Sequence, residues 1–169
     1  MPNQYENQAN VDAHIKTTGP EIWRQSAGKV SHVFVSLGTC GTATGLSTFL
    51  KAKNPAIKVI AVQPSPGHDV PGIRNISELD VSKLYDPTKI DEVLEIEHEL
   101  AYRRAVDLAR NEGLLAGPSS GLIFEGAVRV AAREPVAFGV AIFCDSVFKY
   151  AGNMTRHLPE LGDELSSNT

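Results

Sequence analysis

The residues of this chain whose types and spacing could do chemistry are concentrated in Ser36-Leu37-Gly38-Thr39-Cys40-Gly41-Thr42-Ala43-Thr44-Gly45. Glycines at this density let a backbone turn tightly and come close to a ligand. The β-rich run Val30–Ser36 in front of them predicts a strand. The segment Ala43–Lys53 behind them predicts a helix, ended by Asn54-Pro55. In that order the loop aims free N–H groups and the positive end of a helix dipole at an anion, and the hydroxyls of Thr39 and Thr42 add two hydrogen-bonding groups. The ligand that fits is a phosphate held without a lysine. Two familiar patterns do not match: the stretch lacks the terminal Gly-Lys-Ser/Thr of a P-loop, and glycines at 38, 41 and 45 do not make GxGxxG. A nicotinamide dehydrogenase is further disfavoured because the acidic residue that follows GxGxxG is missing. The same spacing also fits a glycine-rich turn that binds nothing.

The elements that must position this loop alternate along the chain. Further strands are expected at Ile57–Gln63, ended by Pro64, at Glu92–Ile96, and at Val136–Phe143, the last apolar on both faces as in a strand buried between helices. Helices are expected at Glu97–Glu112 with Gly113 as C-cap, at Ser119–Arg133 behind Gly117-Pro118, and at Ser146–Leu158. The alternation predicts an α/β fold: a mostly parallel sheet flanked by helices. Residues 63–87 read as one long loop, of the kind that often carries function. Pro2–Gly19 is a polar lead that must wrap onto something, and 160–169 is expected to fray.

Composition bounds the function. At 169 residues, 42% apolar and 21% charged, the chain has the make-up of one ordinary globular domain. Sixteen basic against twenty acidic residues, with no basic cluster, argue against nucleic acid as a partner. No apolar stretch approaches the roughly 20 residues that span a bilayer, so no membrane role is expected. The opening MPNQYENQAN lacks the basic and apolar regions of a secretory signal. Two cysteines, Cys40 and Cys144, make no disulfide framework; with no metal site in view, the default location is a reducing cytoplasm. The pair reads as two small buried hydrophobes rather than a redox couple.

The loop GTCGTATGL resembles the GTGGT phosphate loop of the cysteine synthase and cystathionine β-synthase group, the fold-type II pyridoxal-phosphate enzymes. Four further segments agree in order: Gln4–Asn10 with Thr17-Thr-Gly-Pro-Glu-Ile-Trp23, Pro71-Gly72-Ile73-Arg74, Glu112–Gly121, and Cys144-Asp145-Ser146. The resemblance implies that pyridoxal 5'-phosphate is the family cofactor. Its phosphate would be held by Gly38, Thr39, Cys40, Gly41 and Thr42, and its pyridine nitrogen would be faced by Ser146. A serine hydroxyl there offers no negative charge and leaves that nitrogen largely unprotonated. Ser146 is equally placed to cap the last helix. Gly72, Ile73, Ser119 and Ser120 would line the substrate side of the cleft. The sheet would be that of the family's larger domain, and residues 1–169 would form a single domain, the C-terminal part of a longer two-domain enzyme with residues 1–25 as its lead segment.

The departures bear on activity. Cys40 stands where the family usually has glycine, Cys144 stands where it has proline, and Val147–Gly152 differs from the common sulfhydrylases. The family's Schiff-base lysine segment and its TSGNTG-like substrate loop have no counterpart, and none of the eight lysines has the required context. Lys29 and Lys58 read as solvated. The expected activity of the whole enzyme is β-replacement on O-activated serine by a sulfur nucleophile. The chain alone is expected to be silent, with no catalytic residue of its own, and to associate as a homo-oligomer. The alternative is a non-catalytic assembly module that pairs with itself or with an N-terminal partner.

Overall fold

The computed structural model describes residues 3–160. Four strands form one parallel sheet: β1 (His32–Ser36), β2 (Lys58–Pro64), β3 (Glu92–Ile96) and β4 (Gly139–Ala141), in the order β3-β2-β1-β4. Among the described residues six helices surround it: α1 (Ala9–Lys16), α2 (Thr18–Gln25), α3 (Gly41–Lys53), α4 (His98–Glu112), α5 (Pro118–Arg133) and α6 (Ala151–His157). The two-residue period of a strand divides the core. Val33, Val35, Val59 and Ala61 pack with Leu46 and Leu50 of α3 on one face, while Phe34 and Ile60 pack with Ile123 and Val130 of α5 on the other. The central strands β1 and β2 are covered on both faces, so they read as near-continuous apolar runs. The expected α/β fold with a parallel sheet is what the chain forms.

Several expectations are corrected. The polar lead, given no element from sequence, folds into α1 and α2, which pack against α3. Pro20 is tolerated in α2 because its missing N–H lies in the first turn, where no carbonyl would receive it. The strand expected at Val136–Phe143 shortens to Gly139–Ala141 and, at the sheet edge, is exposed to half-buried rather than buried between helices. Among the described residues no further strand pairs with its free side, and Phe138 beside it is 40% exposed. The last helix is broken into a 3-10 turn at Val147–Lys149 and α6. The long loop contains a 3-10 helix at Ile76–Val81. That helix opens on Asn75, whose side chain accepts from Ser77 N (3.0 Å), while Glu78 accepts from Asn75 N (3.1 Å), two orphan donors satisfied reciprocally. Of the end expected to fray, all but Glu160 lies outside the described residues.

Candidate functional site

In a parallel sheet every strand ends at the same edge, and the loops leaving that edge form the crevice where ligands bind. Here β1 delivers Gly38–Thr42, β2 delivers the turn holding Pro71–Arg74, and β4 leads through Phe143 to Asp145-Ser146. The sequence-predicted residues meet in two groups. In the first, the Gly72 carbonyl lies 2.8 Å from where a side chain on Gly38 would begin, and Arg74 N donates to Leu37 O (2.7 Å). In the second, Ala116 pairs with Ser146 in an isolated antiparallel bridge and Gly117 N donates to Asp145 O (3.1 Å), which sets Ser119 and Ser120 at the start of α5 against the chain that follows β4.

The glycine loop is locked by its neighbours. Cys40 sits at φ +67°, the left-handed region that glycine enters freely and cysteine does not. It is the N-cap of α3, yet its side chain makes no capping hydrogen bond, and the first turn of α3 holds no acid. The first N–H groups of α3 therefore have neither a helical carbonyl nor an Asp or Ser oxygen from the cap residue. Burial pushes the Cys40 thiol up to about 11, so it stays neutral. Ser82 donates to Thr39 O (2.6 Å) and Thr44 to Leu84 O (2.7 Å), tying the loop to the segment behind it.

Sequence reasoning missed the contribution of α1. Asn10 and His14, one turn apart on the same face, reach the two loop threonines. Asn10 Nδ2 donates to Thr39 Oγ1 (2.9 Å) and to Gln4 O (2.8 Å). His14 Nε2 bonds Thr42 Oγ1 (3.1 Å), and its Nδ1 bonds Thr18 Oγ1 (2.9 Å). A side chain on Gly41 would begin 2.1 Å from Asn10 Oδ1, so α1 also seals that side of the loop. The i, i+4 spacing of the pair was readable; its approach across 28 positions was not.

The remaining predicted residues have plain environments. Ser146 Oγ accepts from Phe148 N (3.4 Å), which makes it the cap of the 3-10 turn and leaves its hydroxyl proton free to donate elsewhere. Ser120 is fully buried with its Oγ unpartnered, and Ser119 is 7% exposed. Ile73 is buried among Val62, Val70 and Ile96. Cys40 packs into the core beside Leu37 and Ala43, so what it can offer a ligand is its backbone N–H. Cys144 is exposed, not a buried hydrophobe, because the chain leaving β4 runs along the open edge. Lys29 and Lys58 are exposed, as expected, and Lys58 bonds Glu134 (2.5 Å). None of the eight lysines is buried. No group of His, Cys, Asp and Glu among the described residues could hold a metal ion, and no helix there is long and apolar enough to cross a membrane.

The donor set fits a phosphate monoester: a helix N-terminus whose cap residue supplies no side-chain oxygen and whose first amide makes only a 3.4 Å bond to Thr39 Oγ1, two hydroxyls, and no acid in the first turn. Known proteins resemble this chain along most of its length. Cysteine synthase B of Salmonella typhimurium is 40% identical over 148 residues, which are 88% of this chain and 49% of that protein. A solved O-ureido-L-serine synthase superposes with a TM-score of 0.84 at 27% identity, covering 91% of this chain and 52% of the other. O-acetyl serine sulfhydrylase isoform 3 from Entamoeba histolytica superposes at 0.82 and 28%, covering 91% and 49%. The chain thus spans about half the length of the relatives it matches. The family described as pyridoxal-phosphate dependent enzyme matches residues 1–145, and the chain belongs to that family.

Proposed function

We propose that this chain is the phosphate-holding part of a cysteine-synthase-like enzyme that replaces the β-substituent of an O-activated serine with a sulfur nucleophile. The observation that carries the reading is the N-terminus of α3, which receives no side-chain oxygen from its cap residue, has only a long 3.4 Å bond from Gly41 N to Thr39 Oγ1 and holds no acid in its first turn, with the Thr39 and Thr42 hydroxyls beside it, at the edge of the sheet where the strands end. Pyridoxal 5'-phosphate, when bound, supplies an electron sink conjugated to the substrate's amino group. The residues of this chain do the holding. The amides that open α3 bind the phosphate, and Thr39, whose oxygen already accepts from Asn10, has its proton left to donate. Ser146 likewise keeps a proton to offer the pyridine nitrogen, since its oxygen is engaged as a cap. Gly72, Ser119 and Ser120 border the substrate side.

By itself the chain is proposed to be inactive. A lysine that attacks an aldehyde must be desolvated, and those present are surface groups: Lys51 pairs with Asp91, Lys58 with Glu134, Lys83 with Glu6, and Lys53 lies over the Phe49 ring. Loss of substrate orientation removes several kcal/mol of rate assistance as well. The test has two parts. Pyridoxal 5'-phosphate should bind the purified chain while pyridoxal, which lacks the phosphate, should not, and Thr42→Val should weaken binding about tenfold. Borohydride treatment of the loaded chain should leave no single stoichiometric phosphopyridoxyl-lysine, and no cysteine should form from O-acetylserine and sulfide. Equal binding of both ligands overturns the phosphate reading; a single labelled lysine together with cysteine production overturns the inactivity.

A second reading, an assembly module that pairs with itself, is favoured by the open side of β4. Phe138 is exposed there, and an apolar groove of about 300 Å³ runs between β4 and α5, lined by Phe34, Phe124, Val128, Val136 and Ala141. It contains none of the loop residues. Sedimentation should find a dimer or larger species; a monodisperse monomer at high micromolar concentration removes this reading.

A further inference from the structure

The ring of His14 bridges two hydroxyls, Thr18 Oγ1 at 2.9 Å from Nδ1 and Thr42 Oγ1 at 3.1 Å from Nε2. A hydroxyl has one proton and an imidazole nitrogen either gives or takes one. When Nδ1 carries the ring proton, Nε2 must accept from Thr42, and the Thr42 proton is turned toward α1. When Nε2 carries it, Nε2 donates to the Thr42 oxygen, and the Thr42 proton is free to point at a ligand. A doubly protonated ring does the same and adds a positive charge one bond away. We propose that His14 is a positioning residue for the anion at the start of α3: by donating to Thr42 it turns that hydroxyl into a phosphate donor, and it takes up a proton as the anion binds. The inference rests on the phosphate reading above and names the residue that makes that site depend on pH.

The surroundings isolate His14 as the titrating group. On its own helix Asp12 faces Lys16 at 3.8 Å. On α2, Glu21 receives Gln25 and Arg24 is exposed. On α3, Lys51 pairs with Asp91 and Lys53 sits over Phe49, while the Cys40 thiol at its start stays neutral. In the preceding segment Glu6 pairs with Lys83. No charged neighbour is among the causes that move His14; burial alone holds its pKa below the ordinary histidine value. With no anion present the ring is therefore neutral at pH 7, and a dianion placed beside Thr42 favours the protonated form.

Sulfate is the probe, because it stays a dianion over the whole range in which histidine titrates, whereas a phosphate ester itself takes up a proton near pH 6. The imidazole nitrogens of the wild-type chain are followed by NMR, with and without sulfate, alongside the amides of Gly41, Thr42 and Ala43. Sulfate should move those amides, place a proton on Nε2 of His14, and raise its pKa by about one unit, so that sulfate binds about tenfold more tightly at low pH than at high. In His14→Gln, whose amide can still donate to Thr42 but cannot titrate, sulfate should bind with an affinity that no longer depends on pH. Loop amides that shift while the His14 nitrogens and pKa do not would overturn the inference and leave the phosphate reading standing. Amides that respond neither to sulfate nor to pyridoxal 5'-phosphate would overturn both.

Discussion

Two helix pairs of this fold use the same device for different ends. In α4–α5 a side chain on Gly121 would begin 2.1 Å from Ala101 O and 2.6 Å from Ala105 N. In α1–α3 one on Gly45 would begin 2.7 Å from both His14 Cβ and Val11 O. Each pair gains close backbone approach by omitting a Cβ. The polar groups that then meet differ. Between α4 and α5 lies the buried carboxylate of Glu125, bonded by Arg104 Nε (2.8 Å) and Arg129 Nε (2.7 Å). Burial pushes its pKa up, but the two guanidinium groups outweigh this and hold it below the usual glutamate value. Between α1 and α3 the contacts are neutral: Asn10 to Thr39 and His14 to Thr42. A charged clamp fixes one geometry and costs much to break. Neutral hydroxyl and imidazole groups can reverse donor and acceptor at little cost. The first pair is built to hold still, the second to respond to a ligand.

The comparison is broken most strongly by removing the clamp. Arg104→Ala with Arg129→Ala leaves Glu125 buried and unpaired and should cost about 4 kcal/mol by urea unfolding. The sign of its pH dependence follows from the lowered pKa. In the wild type the clamp's contribution is present above the ordinary glutamate pKa and is lost as pH falls through the folded value. The gap between wild type and double variant should therefore narrow in acid. Gly121→Ala comes next, at about 3 kcal/mol, because the obstacle is backbone; sulfate binding by the molecules that remain folded should be unchanged. Gly45→Ala should cost less, about 1.5 kcal/mol, yet by pushing α1 off α3 it should weaken sulfate binding where Gly121→Ala does not. An equal effect of both on sulfate would erase the distinction between the pairs. At Cys40, Ala and Gly both lose the thiol, but only Gly relieves the left-handed backbone, so Cys40→Gly should be more stable than Cys40→Ala by about 1 kcal/mol.

The smallest effect is expected beyond α4. Tyr102 donates to Asp69 O, and the Asp69 carboxylate bonds His157 and Arg156 of α6 at 3.1 Å each. The His157 hydrogen bond, with Arg156 behind it, holds the Asp69 carboxyl below its usual range. Asp69→Asn should leave global stability nearly unchanged while speeding amide exchange in α6. If α6 exchanges as slowly in the variant, it is held by Met154 and Leu158 in the core alone.

Sequence was most legible where one periodicity was uninterrupted. Glu92–Ile96 was located to the residue, and the strands before and after the glycine loop were located to within two. The glycine loop between β1 and α3 was legible because strand, glycines and helix are consecutive. Helices α1 and α2 were not, since each is only eight residues long and buries a single large apolar side chain, Val11 in α1 and Ile22 in α2. The 3-10 helix was readable in principle: Asn75 and Glu78 have the capping-box spacing. The position of β4 at the edge was not, because an apolar run reports cover on its faces and says nothing of pairing at its side. His14 was passed over because its partner Thr42 is distant in sequence and adjacent only after α1 docks on α3.

The strand order also sets an order of events during folding. β1 pairs with β2 across a single helix, His32 opposite Lys58, whereas its other flank waits for β4, where Ser31 bonds Phe138 across 107 positions. Closing a loop of that length before any contact rewards it is entropically costly, and such non-local pairing slows folding. On a ribosome the β1–β2 unit with its glycine loop can form while the chain is still being made. β1 then keeps one flank bare until Gly139–Ala141 has emerged. The glycine loop is thus assembled early and the sheet completed late.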